Sequence, residues 1–142
     1  MKLRKPPRPK ALRWSARLAR LPALSIRQPY AWLVANGIKD LENRSWRTWR
    51  RGPILIHASS NRHNLTAGEC ARYGAKGRVR MPPLDAYEFG GIIGYAEIVD
   101  CVRHSDSVWK HRGTWGWVLR NARPIRFRRC KGAVGFFRPR PS

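Results

Sequence analysis

Residues 24–59 read LSIRQPYAWLVANGIKDLENRSWRTWRRGPILIHAS, and the order of elements in this run decides the fold. Leu24-Ser25-Ile26 alternates as a short strand does, with Leu24 and Ile26 on one side. Gln28-Pro29 opens a helix, because proline lacks only an N–H that the first turn leaves unused. Tyr30, Leu33 and Val34 are spaced i, i+3, i+4 and give that helix a buried stripe, while Trp32 lies off it and leans on a neighbouring strand. Asn36-Gly37 ends the helix after about two turns, so packing rather than propensity must hold it. Lys39 follows at once. Alternation from Asp40 to Trp46 then puts Asp40, Glu42, Arg44 and Trp46 on one face, with Leu41, Asn43 and Ser45 on the other. Glu42 and Arg44 become same-face neighbours able to pair. Arg50-Arg51-Gly52-Pro53 is a turn, and Ile54 to Ala58 is a core strand.

Working outward, residues 1–22 carry eight Lys or Arg and no acid, with Pro6, Pro7 and Pro9 forbidding a helix at the start. A short helix fits between Lys10 and Leu21. Three readings compete, a basic arm that touches phosphates, a targeting presequence of similar arginine-rich composition, and an unstructured leader; no secretory apolar core is present, and the segment reads as a flexible basic arm. Asn64 or Thr66 caps a helix through about Tyr73, and residues 74–83 read as a basic loop. Gly91 to Val102 is the longest expected strand, with Ile93, Tyr95, Glu97, Val99 and Cys101 on one face. Glu97 is then an acid on an apolar face, either paired to an arginine or backbone N–H, or part of a buried polar site. Trp115 to Leu119 is a strand with Trp115, Trp117 and Leu119 on one side, residues 126–131 are basic, and residues 132–137 form a last strand. A loose tail, 139–142, ends the chain. Five or six strands with two or three short helices and no βαβ rhythm predict an α+β domain over 23–138, built as a small barrel.

The 142 residues carry 30 Lys and Arg against 8 Asp and Glu. Such a field attracts polyanions, and counterion release from phosphates makes nucleic acid the expected partner. Removing the first 22 residues leaves 22 basic and 8 acidic, so the body itself needs that account. Cys70, Cys101 and Cys130 are scattered and odd in number, with no C-x-x-C and no histidine at ligand spacing. Neither metal nor cofactor is expected, and a reducing, cytoplasmic setting fits. No 18-residue apolar run exists, so no membrane partner is expected, and no obligate protein partner is inferred.

The chemistry gathers in the opening stretch. Lys39, just past a helix end, is either a solvated lysine, a point charge for phosphate, or a catalytic amine with its pKa lowered by burial and by Arg44 and Arg47. Glu42 pairs with Arg44 or Arg27, or orients Lys39, accepts from a base amino group, or acts as a general base on water. Trp46 and Trp49 interleaved with Arg47, Arg50 and Arg51 form the pattern that holds single strands by stacking and phosphate contact; the bland reading makes Trp46 core. Arg27 and Gln28 join this contact set, as does His57 at the end of its core strand, although such a histidine is more often structural.

These residues resemble the ASCH domain, in Leu24-Ser-Ile-Arg-Gln-Pro-Tyr-Ala31, Gly37-Ile-Lys39, Glu42-Asn-Arg44-Ser-Trp46, Arg51-Gly52 and the strand through His57. Gly94 to Cys101, Trp115 to Pro124, and Gly132 with Phe136 stand where the family has matching strands. The resemblance implies a PUA-like barrel with a cleft lined by G-x-K-x-x-E-x-R, and binding of RNA more readily than DNA. It also implies an alternative, since some small members hydrolyse N4-acetylcytidine nucleosides and others cleave RNA, which would make Lys39 and Glu42 catalytic. The acetylcytidine hydrolases resemble K-x-x-T where this chain has Lys39-x-x-Glu42, so their nucleophilic hydroxyl is missing at the matching place.

Overall fold

A computed structural model describes residues 2–63 and 65–140; Asn64, and Pro141 and Ser142 of the expected tail, lie outside the described residues. One mixed sheet organises the molecule. Its strands are β1 (Ala23–Ile26), β2 (Leu41–Arg44), β3 (Gly52–Ala58), β4 (Gly91–Val102), β5 (Trp115–Arg129) and β6 (Phe136–Phe137), arranged β2-β5-β4-β3-β1-β6. Among these six strands only β1 and β3 pair in parallel, Leu24 opposite Ile56 and Ser25 opposite His57. A parallel pair needs a crossover. Here the crossover is the helix α2 (Tyr30–Ala35) followed by β2, so the connection itself carries the motif stretch. The sheet curls into a half-barrel around α2, matching the expected α+β, PUA-like architecture.

Ala31, Leu33, Val34 and Ala35 of α2 are all buried, more than the expected stripe supplies. The helix sits against β4 at closest approach: a Cβ on Gly94 would lie 2.5 Å from that of Ala35. Each fully buried Leu or Ile of this core stabilises the fold by about 1.5–3 kcal/mol relative to exposure.

β4 departs from simple alternation. Its pairing with β5 slips between Ile92 and Gly94, between Tyr95 and Glu97, and between Ile98 and Asp100. The first two slips place the extra residues in β5 and the third places one in β4, and such irregularities shift which side chains of a strand face the core. Ile93, Ala96, Ile98 and Cys101 therefore face the inner core, replacing the expected Ile93–Tyr95–Glu97–Val99–Cys101 face. Glu97 leaves the core altogether: it accepts from the Tyr95 hydroxyl (2.6 Å) and the Asn121 amide (2.9 Å).

The longest strand is β5, not β4. It continues through Asn121, at φ +55°, and Pro124. Proline is tolerated there because β2 pairs only with Trp115 to Val118, which leaves the rest of β5 at the sheet edge. Helix α3 (Ala67–Gly77) is capped by Thr66, whose hydroxyl accepts from Glu69 N–H at 3.1 Å. It runs four residues past Tyr73 because its glycines pack rather than break it. A Cβ on Gly74 would lie 2.8 Å from the Val79 carbonyl, and one on Gly77 would lie 2.9 Å from Ile38.

Residues 2–22 run along the body, with a short helix α1 (Ala16–Ala19) whose Leu18 is buried. Leu12, Trp14 and Leu21 pack with it on an outer cluster that includes Leu55, Ile92 and Ile125.

Candidate functional site

The path to the site begins at the end of α2. Gly37, at φ +74°, donates to the Val34 carbonyl (3.0 Å), and Ile38 N–H donates to Leu33 C=O (2.9 Å). These two bonds are a Schellman cap, which requires the left-handed conformation that glycine adopts freely. Ile38 is then fixed by Leu33, by Gly77 of α3, and by Trp109, whose indole donates to the Ile38 carbonyl at 3.1 Å. The next residue, Lys39, is held at its backbone too, its N–H donating to the Leu33 carbonyl at 3.1 Å.

Lys39 is 3% exposed, so the solvated reading fails. Its ammonium donates to the Leu41 carbonyl and to Glu42 Oε1 (3.2 Å), and stands 5.2 Å from the Tyr30 ring centroid. Burial pushes its pKa down; Glu42 and Asp40 oppose that shift and Arg44 adds to it. Glu42 spends its other oxygen on Arg44, Oε2 to Nη2 at 2.9 Å. Arg44 also donates to the Ser25 carbonyl (3.1 Å), joining β2 to the open end of β1. The Arg44 guanidinium lies beside the edge-to-face Trp46–Trp117 pair, 5.6 and 5.7 Å from their centroids.

Around this trio lies a cleft of about 270 Å³, lined by Ser25, Ile26, Arg27, Tyr30, Lys39, Glu42, Asn43, Arg44 and His111. Three permanent or buried cations face one carboxylate. His111 is a residue that the sequence reading passed over. Its backbone N–H donates to the Asn43 side chain (2.9 Å), which also donates to the Trp109 carbonyl (2.8 Å), so Asn43 clamps the 109–114 loop over the cleft. Partial burial and the charges of Lys39, Lys76 and Lys110 push the His111 pKa down, leaving a neutral ring near pH 7.

Beyond β2 the chain exposes its aromatics. Trp49 is 74% exposed and Trp46 46%. The Arg47 guanidinium lies 3.9 Å from the Trp49 ring centroid and 5.2 Å from that of Trp115, over which Arg103 also lies at 5.1 Å. Arg47 thus links Trp49 to Trp115, and Trp115 carries a second guanidinium, that of Arg103. Arg50 sits over Phe136 (4.9 Å). Arg51 turns back on the Thr48 and Arg50 carbonyls (3.1 and 3.0 Å), a turn-bracing position.

Two expected contacts lie elsewhere. Gln28 is buried, its amide donating to Glu88 C=O and accepting from Trp32 N–H, both at 2.9 Å. His57 is 1% exposed, with Nε2 on the Cys130 carbonyl (2.7 Å) and Nδ1 on the Ser25 hydroxyl (3.0 Å). A carbonyl only accepts, so Nε2 carries the proton and Ser25 donates to Nδ1. Burial pushes this ring's pKa down. Among the described residues no cluster of His, Cys, Asp and Glu is placed to hold a metal, and all three cysteines are free and buried. No helix among them is long and apolar enough to cross a membrane.

The family model for the ASCH domain matches residues 24–125, from the first strand of the motif stretch through most of β5. This chain belongs to the ASCH family. Within that PUA-like family, activating signal cointegrator 1 of Homo sapiens is 32% identical over 82 residues, 56% of this chain and 14% of the human protein. The Mus musculus protein of the same name is 33% identical over the same share of each. This ASCH chain therefore spans a small part of the length of these curated relatives.

Proposed function

We propose that this ASCH domain binds single-stranded nucleic acid, RNA in preference to DNA, with the strand running from the Lys39–Glu42–Arg44 cleft onto the Arg47–Trp49 stack. The observation that carries the reading is the junction at Arg44. It borders the cleft and touches Trp46, so phosphate-seeking charge and base-stacking surface are continuous. Glu42 is saturated by two cations, which leaves Arg27 and the surplus charge to meet phosphate. Exposed Trp49, braced from behind by Arg47, offers a free face to an unpaired base, and such stacking contributes about 1–3 kcal/mol per base. A formal net charge of +22 favours a polymer over a free nucleoside, which brings no phosphates.

The test is fluorescence anisotropy of a labelled single-stranded RNA against the full chain over a salt series, with Arg27→Ala and Trp49→Ala, both exposed positions. The expected result is a steep salt slope, made shallower by Arg27→Ala. Trp49→Ala weakens binding about tenfold or more with the slope kept. Unchanged affinity in both variants overturns the reading.

A second reading, hydrolysis of a modified nucleoside such as N4-acetylcytidine or of RNA, is favoured by one observation: Lys39 is buried beside Glu42 with a depressed pKa. That is the setting of an activated amine. Incubation with N4-acetylcytidine, with cytidine and acetate followed by chromatography, and with a single-stranded RNA resolved by electrophoresis, decides it; no product from either substrate with the wild-type chain ends this reading.

A further inference from the structure

Residues 2–14 follow a period of three. Leu3, Pro6, Pro9 and Leu12 turn partly inward, whereas Lys2, Arg4, Lys5, Arg8, Lys10 and Arg13 are exposed. That is the period of a polyproline helix, which has three residues per turn and which this segment's prolines favour. One face of the segment lies on the body, and the cations take the other two. Backbone hydrogen bonds tie it down at both ends. Arg4 donates to the Arg78 carbonyl (3.4 Å) and accepts from Arg80 N–H (2.9 Å); Leu12 donates to the Pro124 carbonyl (2.8 Å) and accepts from Arg126 N–H (3.0 Å). The segment is a strap, anchored beside α3 and again on the free edge of β5.

At each anchor the body adds arginines of its own. Arg78 and Arg80 are exposed at the first and Arg126 at the second, where Arg123 also donates to the Lys10 carbonyl (2.7 Å). Among the described residues the salt bridges involve Lys39, Arg44, Arg51 and Arg72, and none of the strap's cations. Holding so many like charges on one ordered surface costs energy through mutual repulsion, which an anionic partner offsets.

Which anion is decided by what the strap lacks. None of its residues is among the exposed large apolar side chains, so it has nothing to insert into a lipid surface. Its one aromatic ring, Trp14, is half-buried with the Arg128 guanidinium 4.7 Å over it, so it offers no open face to an unpaired base. What remains is charge alone, which suits nucleic acid whose bases are already paired and hidden. From Arg4 to Arg13 a polyproline geometry spans roughly 28 Å, enough to follow several phosphates. The hollows beneath the strap share no lining residue with the cleft.

We propose that the strap is a second phosphate-binding surface, separate from the cleft, that grips the double-stranded stem of a folded RNA. It shares with the single-strand reading of the cleft only the choice of nucleic acid as partner, and the experiment separates the two. The full chain is titrated with a blunt RNA hairpin stem and, separately, with a short single-stranded RNA, from 50 to 400 mM KCl. The strap variant is Lys5→Gln/Arg8→Gln/Lys10→Gln/Arg13→Gln, which keeps every inward residue; the cleft-side variant is Trp49→Ala. Each lost duplex phosphate contact removes about 0.9 from the slope of log Kobs against log salt, so the strap variant, with four cations removed, is expected to be shallower by up to about 3.6 on the stem. Its single-strand affinity falls much less. Trp49→Ala is expected to do the reverse. An unchanged stem slope in the strap variant overturns the proposal, as does an equal loss on stem and single strand, or binding to phosphatidylserine vesicles without binding to the stem. Should Trp49→Ala leave single-strand binding intact while the strap variant loses the stem, the cleft reading fails and the strap stands.

Discussion

Lys39 and Arg44 meet the same carboxylate from opposite ends, Glu42 Oε1 at 3.2 Å and Oε2 at 2.9 Å. The three residues come from one short stretch, yet different devices deliver them. Glu42 and Arg44 are neighbours by strand alternation, whereas Lys39 is placed by the cap of α2. The pairing is unequal in consequence: Lys39 also holds the Leu41 carbonyl and Arg44 the Ser25 carbonyl, but Glu42 has only these two cations.

Removing the carboxylate should therefore cost more than removing either partner. Glu42→Gln leaves two enclosed cations facing each other and is expected to lower stability by about 3 kcal/mol or more, in the range for breaking a buried pair. Lys39→Met leaves Glu42 bound to Arg44 and should cost clearly less. Urea denaturation of both variants checks the order; equal losses would show that the trio does not act through Glu42.

The lysine also sets a pH dependence. Its pKa in the fold lies below the ordinary 10.5, with burial as the main cause. The folded state then binds fewer protons than the unfolded state between those two values, so wild type gains stability as pH rises through that window. Relative to Lys39→Met, wild type should improve from pH 8 toward 10.5. Parallel stability curves for the two proteins over that range would refute this.

His57 acts with the same sign at lower pH. Burial depresses its pKa below 6.5, so its contribution is complete above 6.5 and disappears as pH falls through the folded value. Unfolding free energies from pH 8 to 5 should drop more steeply for wild type than for His57→Gln. His111, also depressed, contributes a similar slope to both proteins, so the difference belongs to His57. Identical slopes would remove the histidine from the acid response.

Gly94→Ala tests how α2 governs the site. The added Cβ would press 2.5 Å from Ala35, and overpacking of this kind costs about 1–3 kcal/mol. Because α2 carries both Tyr30 and the cap leading to Lys39, RNA affinity should fall even under conditions where circular dichroism shows the chain fully folded. Lost stability with unchanged affinity would mean that the cleft is positioned independently of the helix.

How far the sequence foretold this depended on the range of the interactions. Leu24 to Arg44 was legible because a strand, a helix cap and an alternating strand are short-range devices, each signed by its own residues. The β4 bulges were not legible, since Ile92 and Ile93 are both buried and an apolar run gives no sign of where alternation slips. His57 was expected at the cleft edge from its place at a strand end. It is buried instead behind the cleft wall, held by the Ser25 hydroxyl and the Cys130 carbonyl, a distinction that needs the register with β1. Trp109 and His111 come from a polar connection, where the lone tryptophan was the available signal. Gly74 and Gly77 read as breakers because the partners they pack against, Val79, Ile38 and Trp109, are fixed only by the tertiary fold.

The sheet ends on one side in β2, four residues long, and on the other in β6, two residues long. Exposed strand edges are templates on which a second chain can polymerise, and brevity with charge is how natural sheets blunt them. Lys39, Glu42 and Arg44 crowd the first edge, and Arg50 lies over Phe136 at the second. The same charges that make the cleft a place for an anion thus blunt the two terminal margins of a half-barrel that does not close on itself, while the uncovered length of β5 is met by the Leu12 end of the strap.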